Sequence, residues 1–286
     1  MYVRRASPLH AARATAGALF CIAGATLAGV VPNPMVTFAT ALAAFAVAVA
    51  CGVGREVAGS LRLSIPLSLV LVVINVFVVR RGLTVFARLG EVPPVGQVDL
   101  TVEALVAGGL VALHVIAVMA WASVFARCVN PDGLLGAFRR LSFRSALSAT
   151  LATRLIPVLS RDAERFADAQ RCRPGASGNA RVAVVRAVAT GAMDRALDVA
   201  ATLEVRGYAV AGRPPRRRSA RSRHDLALLA ATAGLIAITV VALAAGPLYD
   251  PYDRVRLPST GGSLLLAAAV LIVSLAPMAD RRGIDT

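Results

Sequence analysis

A chain of 286 residues that is 57% hydrophobic and only 16% charged, with a mean hydropathy of +0.69, is too apolar for an ordinary soluble domain, so much of its surface faces lipid. Its formal charge of +15 rests on arginine alone: all 31 basic residues are Arg and the sequence contains no Lys. That absence excludes a Walker A phosphate loop and pyridoxal-phosphate chemistry, both of which need a lysine amine.

The chain opens with Arg4, Arg5 and Arg13 ahead of an apolar run, a pattern also seen in signal peptides. A second apolar run follows almost at once with no persuasive cleavage site, so an uncleaved first helix is expected. A spanning helix needs ~20 apolar residues to cross a hydrocarbon core ~30 Å thick. Six stretches qualify as candidates: residues 14–31, 35–53, 63–79, 102–125, 226–245 and 263–276. Val31-Pro32-Asn33-Pro34 separates the first two as a tight hairpin, because the prolines lack amide donors and disfavour helix before them. Pro66 is expected in the first turn of the third span, where a missing amide costs little. The fold class expected is an all-α integral membrane protein. Its parts are a four-helix membrane portion (1–126), a cytoplasmic region carrying two amphipathic helices (127–225) and a C-terminal transmembrane hairpin (226–286).

Arginine placement orients these spans. With the N-terminus inside, 26 of the 31 arginines face the cytoplasm, and Arg80, Arg81, Arg88, Arg254 and Arg256 face outward. Both termini are therefore expected in the cytoplasm of a bacterial cell. The spans are nearly free of ionisable groups. Glu103 lies at an outer edge, and His114 and Asn75 are expected to bond neighbouring helices. With no buried carboxylate, a self-sufficient proton- or sodium-driven carrier is disfavoured. Gly17, Cys21, Ala25 and Gly29 recur four apart in the first span, which reads either as a close-packing face or as general richness in small residues. Cys21, Cys51, Cys128 and Cys172 lie far apart with no CxxC pair, so free thiols are expected.

The stretch between the fourth and fifth spans is too polar to cross a membrane and too regular to be disordered. Residues 145–171 carry Leu147, Leu151, Leu155, Val158, Leu159 and Phe166 at helical spacing, with Arg154, Arg161, Glu164, Arg165 and Asp168 opposite. Pro157 is expected to kink or divide this helix. A second amphipathic helix is expected from residue 181 to about 205, with a stripe of Val185, Val188, Ala192, Met193 and Leu197. The helices end alike, on Gln170-Arg171-Cys172-Arg173-Pro174-Gly175 and on Leu203-Glu204-Val205-Arg206-Gly207-Tyr208. Capping physics accounts for arginine in each last turn, since the helix dipole favours cations there by ~0.3–1 kcal/mol.

The ordered set of pieces resembles the transmembrane T component (EcfT/CbiQ type) of energy-coupling-factor importers of vitamins or transition metals. Members carry two short Ala-Arg-Gly-type signatures at the ends of two cytoplasmic coupling helices. Here the later one is Val205-Arg206-Gly207 and the earlier one, 33 residues upstream, is Cys172-Arg173-Pro174, which keeps only the arginine. Ser7-Pro8-Leu9-His10, Asn130-Pro131-Asp132-Gly133-Leu134 and Arg154-Leu155-Ile156-Pro157 also resemble family segments, in order, over nearly the whole chain. The resemblance implies that two ABC-type ATP-binding subunits and a substrate-binding membrane S component are partners, and that Arg173 and Arg206 dock into grooves on the ATPases. Arg171, Glu204 and Gly207 would complete those helix ends. An arginine fork suits that task, because it pairs bidentately with a carboxylate while its stem packs on apolar surface. No catalytic residue, metal or cofactor is expected, since HExxH, GxSxG and paired carboxylates within spans are all missing.

The run Arg213-Pro214-Pro215-Arg216-Arg217-Arg218-Ser219-Ala220-Arg221-Ser222-Arg223 is read as a topology anchor touching anionic lipids, at ~1 kcal/mol per arginine. Nucleic acid would call for interleaved aromatics or a folded basic face, and neither is present. The competing function is a membrane-anchored scaffold or regulator that holds a soluble partner on the same amphipathic helices without transport.

Overall fold

The computed structural model describes residues 5–78, 85–92, 96–138, 143–172, 180–207, 222–244 and 260–280. Arg173, Tyr208 and residues 213–221 of the basic run lie outside them. The chain is a multi-pass helical membrane protein that divides into two compact units, Met1–Leu134 with Arg221–Thr286, and Leu135–Ala220.

The first unit holds the apolar helices: α1 (Pro8–Ala11), α2 (Ala14–Val30), α3 (Pro34–Ala50), α4 (Gly54–Val78), α5 (Val102–Cys128), α9 (Arg223–Ala244) and α10 (Thr260–Ala279). All six expected spans are helices. Four of them (α4, α5, α9 and α10) are long and apolar enough to cross a membrane; α2 and α3 are shorter apolar helices. At 17 residues each, α2 and α3 measure about 26 Å, the short end of what a bilayer accepts.

Helix ends follow the local chemistry. Asn33 is fully buried and caps α3, accepting from the amides of Met35 and Val36 at 3.0 and 3.4 Å. Pro34 then occupies the first turn, where its missing amide costs nothing. The Asn33 amide donates to Ser263 Oγ at 3.1 Å, tying this hairpin to α10. At the far end of α3, Gly52 takes φ +73°, its amide reaches Val49 O and the Val53 amide reaches Ala48 O, both at 2.9 Å. That pair of bonds is a Schellman cap, and it needs glycine at the left-handed position.

The core of this unit centres on Trp121. The ring is fully buried, donates Nε1–H to Thr40 O at 3.2 Å and meets Phe20 edge-on with centroids 5.3 Å apart. A Cβ on Gly24 would stand 2.4 Å from the Trp121 ring, so α2 and α5 close at Gly24. The Gly17, Cys21, Ala25, Gly29 series is looser: the nearest atoms to a Cβ at Gly17 and Gly29 are 3.5 and 3.7 Å away. Close packing in α2 thus turns on a glycine outside that series. His114 places its ring nitrogens 2.7 Å from Leu110 O and 3.3 Å from Val31 O, so it joins α5 to the end of α2, as expected of a lone membrane histidine. Cys21, Cys51 and Cys128 are buried and are not in disulfides.

Three local expectations change. α4 begins at Gly54, so Arg55 and Arg62 are helical rather than in a loop, and Pro66 lies in the interior of a 25-residue helix. The Schellman turn delivers the chain directly into α4, and Glu56 in its first turn suits the helix dipole, so nothing stops the polar stretch from being helical. Second, β1 (Val85–Val92) and β2 (Gly96–Thr101) pair antiparallel between α4 and α5, with Val92 opposite Gly96 and two register irregularities. Thr101 ends that hairpin and caps α5, accepting from the Ala104 amide at 3.3 Å. Third, in the other unit Pro157 does not divide its helix. The bond it removes would have gone to Thr153 O on an exposed face, where a carbonyl left without that partner is open to solvent.

Candidate functional site

The second unit is built on α7 (Phe143–Arg171) and α8 (Ala180–Val205), which pack together; α6 (Pro131–Phe138) precedes them. Leu151, Leu155, Val158 and Leu159 of α7 are half-buried, as are Val184, Val188, Ala192, Val199 and Leu203 of α8. Asp162 and Arg195 lie on these same faces and join the helices through a 2.9 Å ion pair. The pair stands nine residues before Arg171 and eleven before Arg206, roughly 14 and 16 Å along each helix. It therefore pins α7 to α8 at matched distances from their C-terminal ends.

The end of α8 is a formed cap. Gly207 takes φ +72° and donates its amide to Glu204 O at 2.9 Å, while the Arg206 amide closes on Thr202 O at 3.1 Å. Glu204, Arg206 and Gly207 are thereby brought into one turn, with the Glu204 and Arg206 side chains exposed. Arg206 makes no ion pair or side-chain hydrogen bond to any described residue. Beside it Val205 is 90% exposed, the most exposed large apolar residue among those described. At the end of α7, Arg171 is held by its own helix, paired with Asp168 at 2.8 Å. Arg173, the other arginine expected at the site, lies outside the described residues.

A second apolar face on α8 went unread in the sequence. Val182, Val185, Met193 and Leu197 follow one another at helical spacing and are exposed, Met193 at 73% and Leu197 at 70%. Of the stripe expected there, Val188 and Ala192 turn inward while Val185, Met193 and Leu197 turn outward. The signal was an excess of apolar residues over what one helix face can hold. Asp162 on the apolar stripe of α7 was a comparable clue to the ion pair. An exposed stripe of this length, ending in an arginine unpaired among the described residues and an exposed valine, has the make-up of an interface core with a polar anchor.

In the first unit, charged contacts gather at one end of the bundle. Arg5 pairs with Glu56, Arg127 donates to Ser60 Oγ at 2.7 Å, and Arg223 pairs with Asp280 at 3.7 Å. Buried Asp225 accepts from the amides of Arg13 (2.7 Å) and Ser222 (3.1 Å) and pairs with Arg13 Nε at 3.3 Å. The Cys51 thiol, 3.9 Å from Met278 Sδ, links the ends of α3 and α10 there as well. Among the described residues no group of three His, Cys, Asp or Glu is placed to hold a metal ion.

The sequence model of a family described as cobalt transport protein, CbiQ, matches residues 5–216. That stretch takes in the helices from α1 to α8, including both ends described above. No curated protein matches the chain.

Proposed function

The chain belongs to the CbiQ family of cobalt transport proteins, and from that premise we propose that it is the transmembrane coupling subunit of an energy-coupling-factor importer. In this reading two ABC-type ATPases dock at the ends of α7 and α8, and a separate membrane S component carries the transition metal or vitamin. The chain itself performs no chemistry; it transmits nucleotide-driven closure of the ATPases to the S component. Both termini and the α7–α8 unit face the cytoplasm, a reading supported by the gathering of Arg5, Arg13, Arg127 and Arg223 at one end of the bundle.

The observation that carries the proposal is the end of α8. A capped helix presents Arg206, unpaired among the described residues, beside exposed Val205. Dipole matching alone accounts for a cation there at ~0.3–1 kcal/mol, but not for the apolar neighbour left in water. A groove carboxylate would engage the guanidinium fork bidentately while Val205 and the arginine stem pack on the groove wall. Gly207 supplies the left-handed turn, and Glu204 supplies the carbonyl that closes it. Arg173 is assigned the equivalent role after α7, with Arg171 beside it.

The test is reconstitution in proteoliposomes. The purified chain alone should neither bind nor hydrolyse ATP. Added to its ATPases and S component, it should make hydrolysis dependent on cargo and linked to uptake. Stoichiometric nucleotide binding by the isolated chain would contradict the proposal. Association with the ATPases without any change in uptake would favour a scaffold instead.

A further inference from the structure

We infer that the junction of α3 and α4 is a binding site for one anionic phospholipid, distinct from the basic run before α9. A cavity of about 610 Å³ opens there, lined among others by Arg5, Gly52, Arg55 and Glu56 at its polar end and by Phe45 and Val49 on its wall. Its size falls in the range of small-molecule sites, ~300–1,000 Å³.

The polar end carries a net positive charge. Arg5 is half-buried and directs one nitrogen to Glu56, leaving other guanidinium donors for an anion. Arg55 is exposed and makes no ion pair with any described residue. Arg5 reaches the α3–α4 turn itself: a Cβ at Gly52 would lie 3.5 Å from its guanidinium nitrogen, an ordinary contact distance. Two guanidinium groups against one carboxylate suit a phosphodiester.

The apolar wall selects a lipid over a free anion. Phe38, Leu42, Phe45 and Val49 succeed one another four or three apart on α3, and all four are exposed. Eleven residues of helix separate Phe38 from Val49, a rise of about 16 Å, which matches one leaflet of a ~30 Å hydrocarbon core. Other helices also show apolar side chains to lipid. This stripe differs because it runs into a cavity bearing two guanidinium groups, so a single molecule can lay its acyl chain along α3 and its phosphate between Arg5 and Arg55.

The experiment uses the full chain in phosphatidylcholine vesicles doped with phosphatidylglycerol that carries a photoreactive diazirine on one acyl chain. Labelled residues are mapped by mass spectrometry, with a phosphatidylcholine probe of the same chain as reference. The expected result is labelling of the Phe38–Val49 face about five-fold above the reference, and a loss of about five-fold in Arg55→Gln. Because Arg55 is exposed and unpaired among the described residues, that variant should keep the melting temperature of the parent. Arg5→Gln, which also breaks the pair with Glu56, should lose labelling to a similar degree. Millimolar inorganic phosphate should leave labelling unchanged. Equal labelling by the two probes, or undiminished labelling in Arg55→Gln, would overturn the site; competition by phosphate would overturn its assignment to a lipid.

Discussion

At the scale of single residues, two glycines and two arginines divide the labour. Gly24 is a packing glycine: its missing Cβ makes space for a Trp121 ring that is fully buried and fixed by its bond to Thr40 O. Gly24→Ala should cost about 1–3 kcal/mol by overpacking, read as a drop in melting temperature in detergent. Gly29→Ala, whose Cβ would find its nearest neighbour at 3.7 Å, is the near-neutral control. Equal melting temperatures for the two variants would contradict this packing. Gly207 is a conformational glycine, required by its φ of +72°. Arg171 and Arg206 both end helices, but Arg171 is paired within its own helix and Arg206 is not. That difference was invisible in the sequence, where both satisfied the same capping rule.

At the scale of elements, much was legible and the reasons are local. The apolar stretches, the Asn33-Pro34 start of α3, the two amphipathic helices and the glycine after α8 are all set by residues a few positions apart. Three features escaped because they depend on the tertiary setting. Pro66 fell in a helix interior once the Gly52 cap fed α4 directly. The β1–β2 hairpin formed between two spans, where only β-branched residues around Pro93-Pro94 hinted at it. The two apolar faces of α8 could not be told apart until α7 covered one of them. The Asp162–Arg195 bond is likewise a contact across 33 residues. If it sets the spacing of the two helix ends, Asp162→Asn or Arg195→Gln should lower cargo uptake per ATP hydrolysed several-fold without loss of membrane insertion. The charge-swapped pair, Asp162→Arg with Arg195→Asp, should recover most of it. A partly exposed pair is worth only about 0.5–1 kcal/mol of stability, so a large loss of folded protein in the single variants would point to a purely structural role.

At the scale of the whole molecule, the chain joins an apolar bundle to an amphipathic helix pair that leaves Val182, Val185, Met193, Leu197 and Val205 exposed. Membership in the CbiQ family supplies the transport setting, and the arginine distribution favours the proposed orientation with both termini inside. Single cysteines at Ser222 and Ser259, in a background lacking the native cysteines, test that orientation. An impermeant maleimide should reach the Ser259→Cys thiol in intact cells and the Ser222→Cys thiol only in inverted vesicles. Labelling of both from outside would overturn this topology, and labelling of Ser222→Cys in intact cells would remove the ends of α7 and α8 from any cytoplasmic ATPase.

The central claim is that those ends hold the ATPases, and its most direct measurement is co-purification of the ATPases with Arg206 and Arg173 variants at matched expression. Losing one partner of a desolvated charge pair costs ~2–5 kcal/mol, whereas losing a dipole interaction costs ~0.3–1 kcal/mol. Arg206→Ala should therefore weaken association by tens-fold or more, and Arg206→Lys should restore only part, because lysine lacks the fork. The double variant Arg206→Glu, Arg173→Glu should release the ATPases while leaving the membrane bundle folded. Near-normal association in that double variant would contradict the account and leave two well-capped helices with no coupling role.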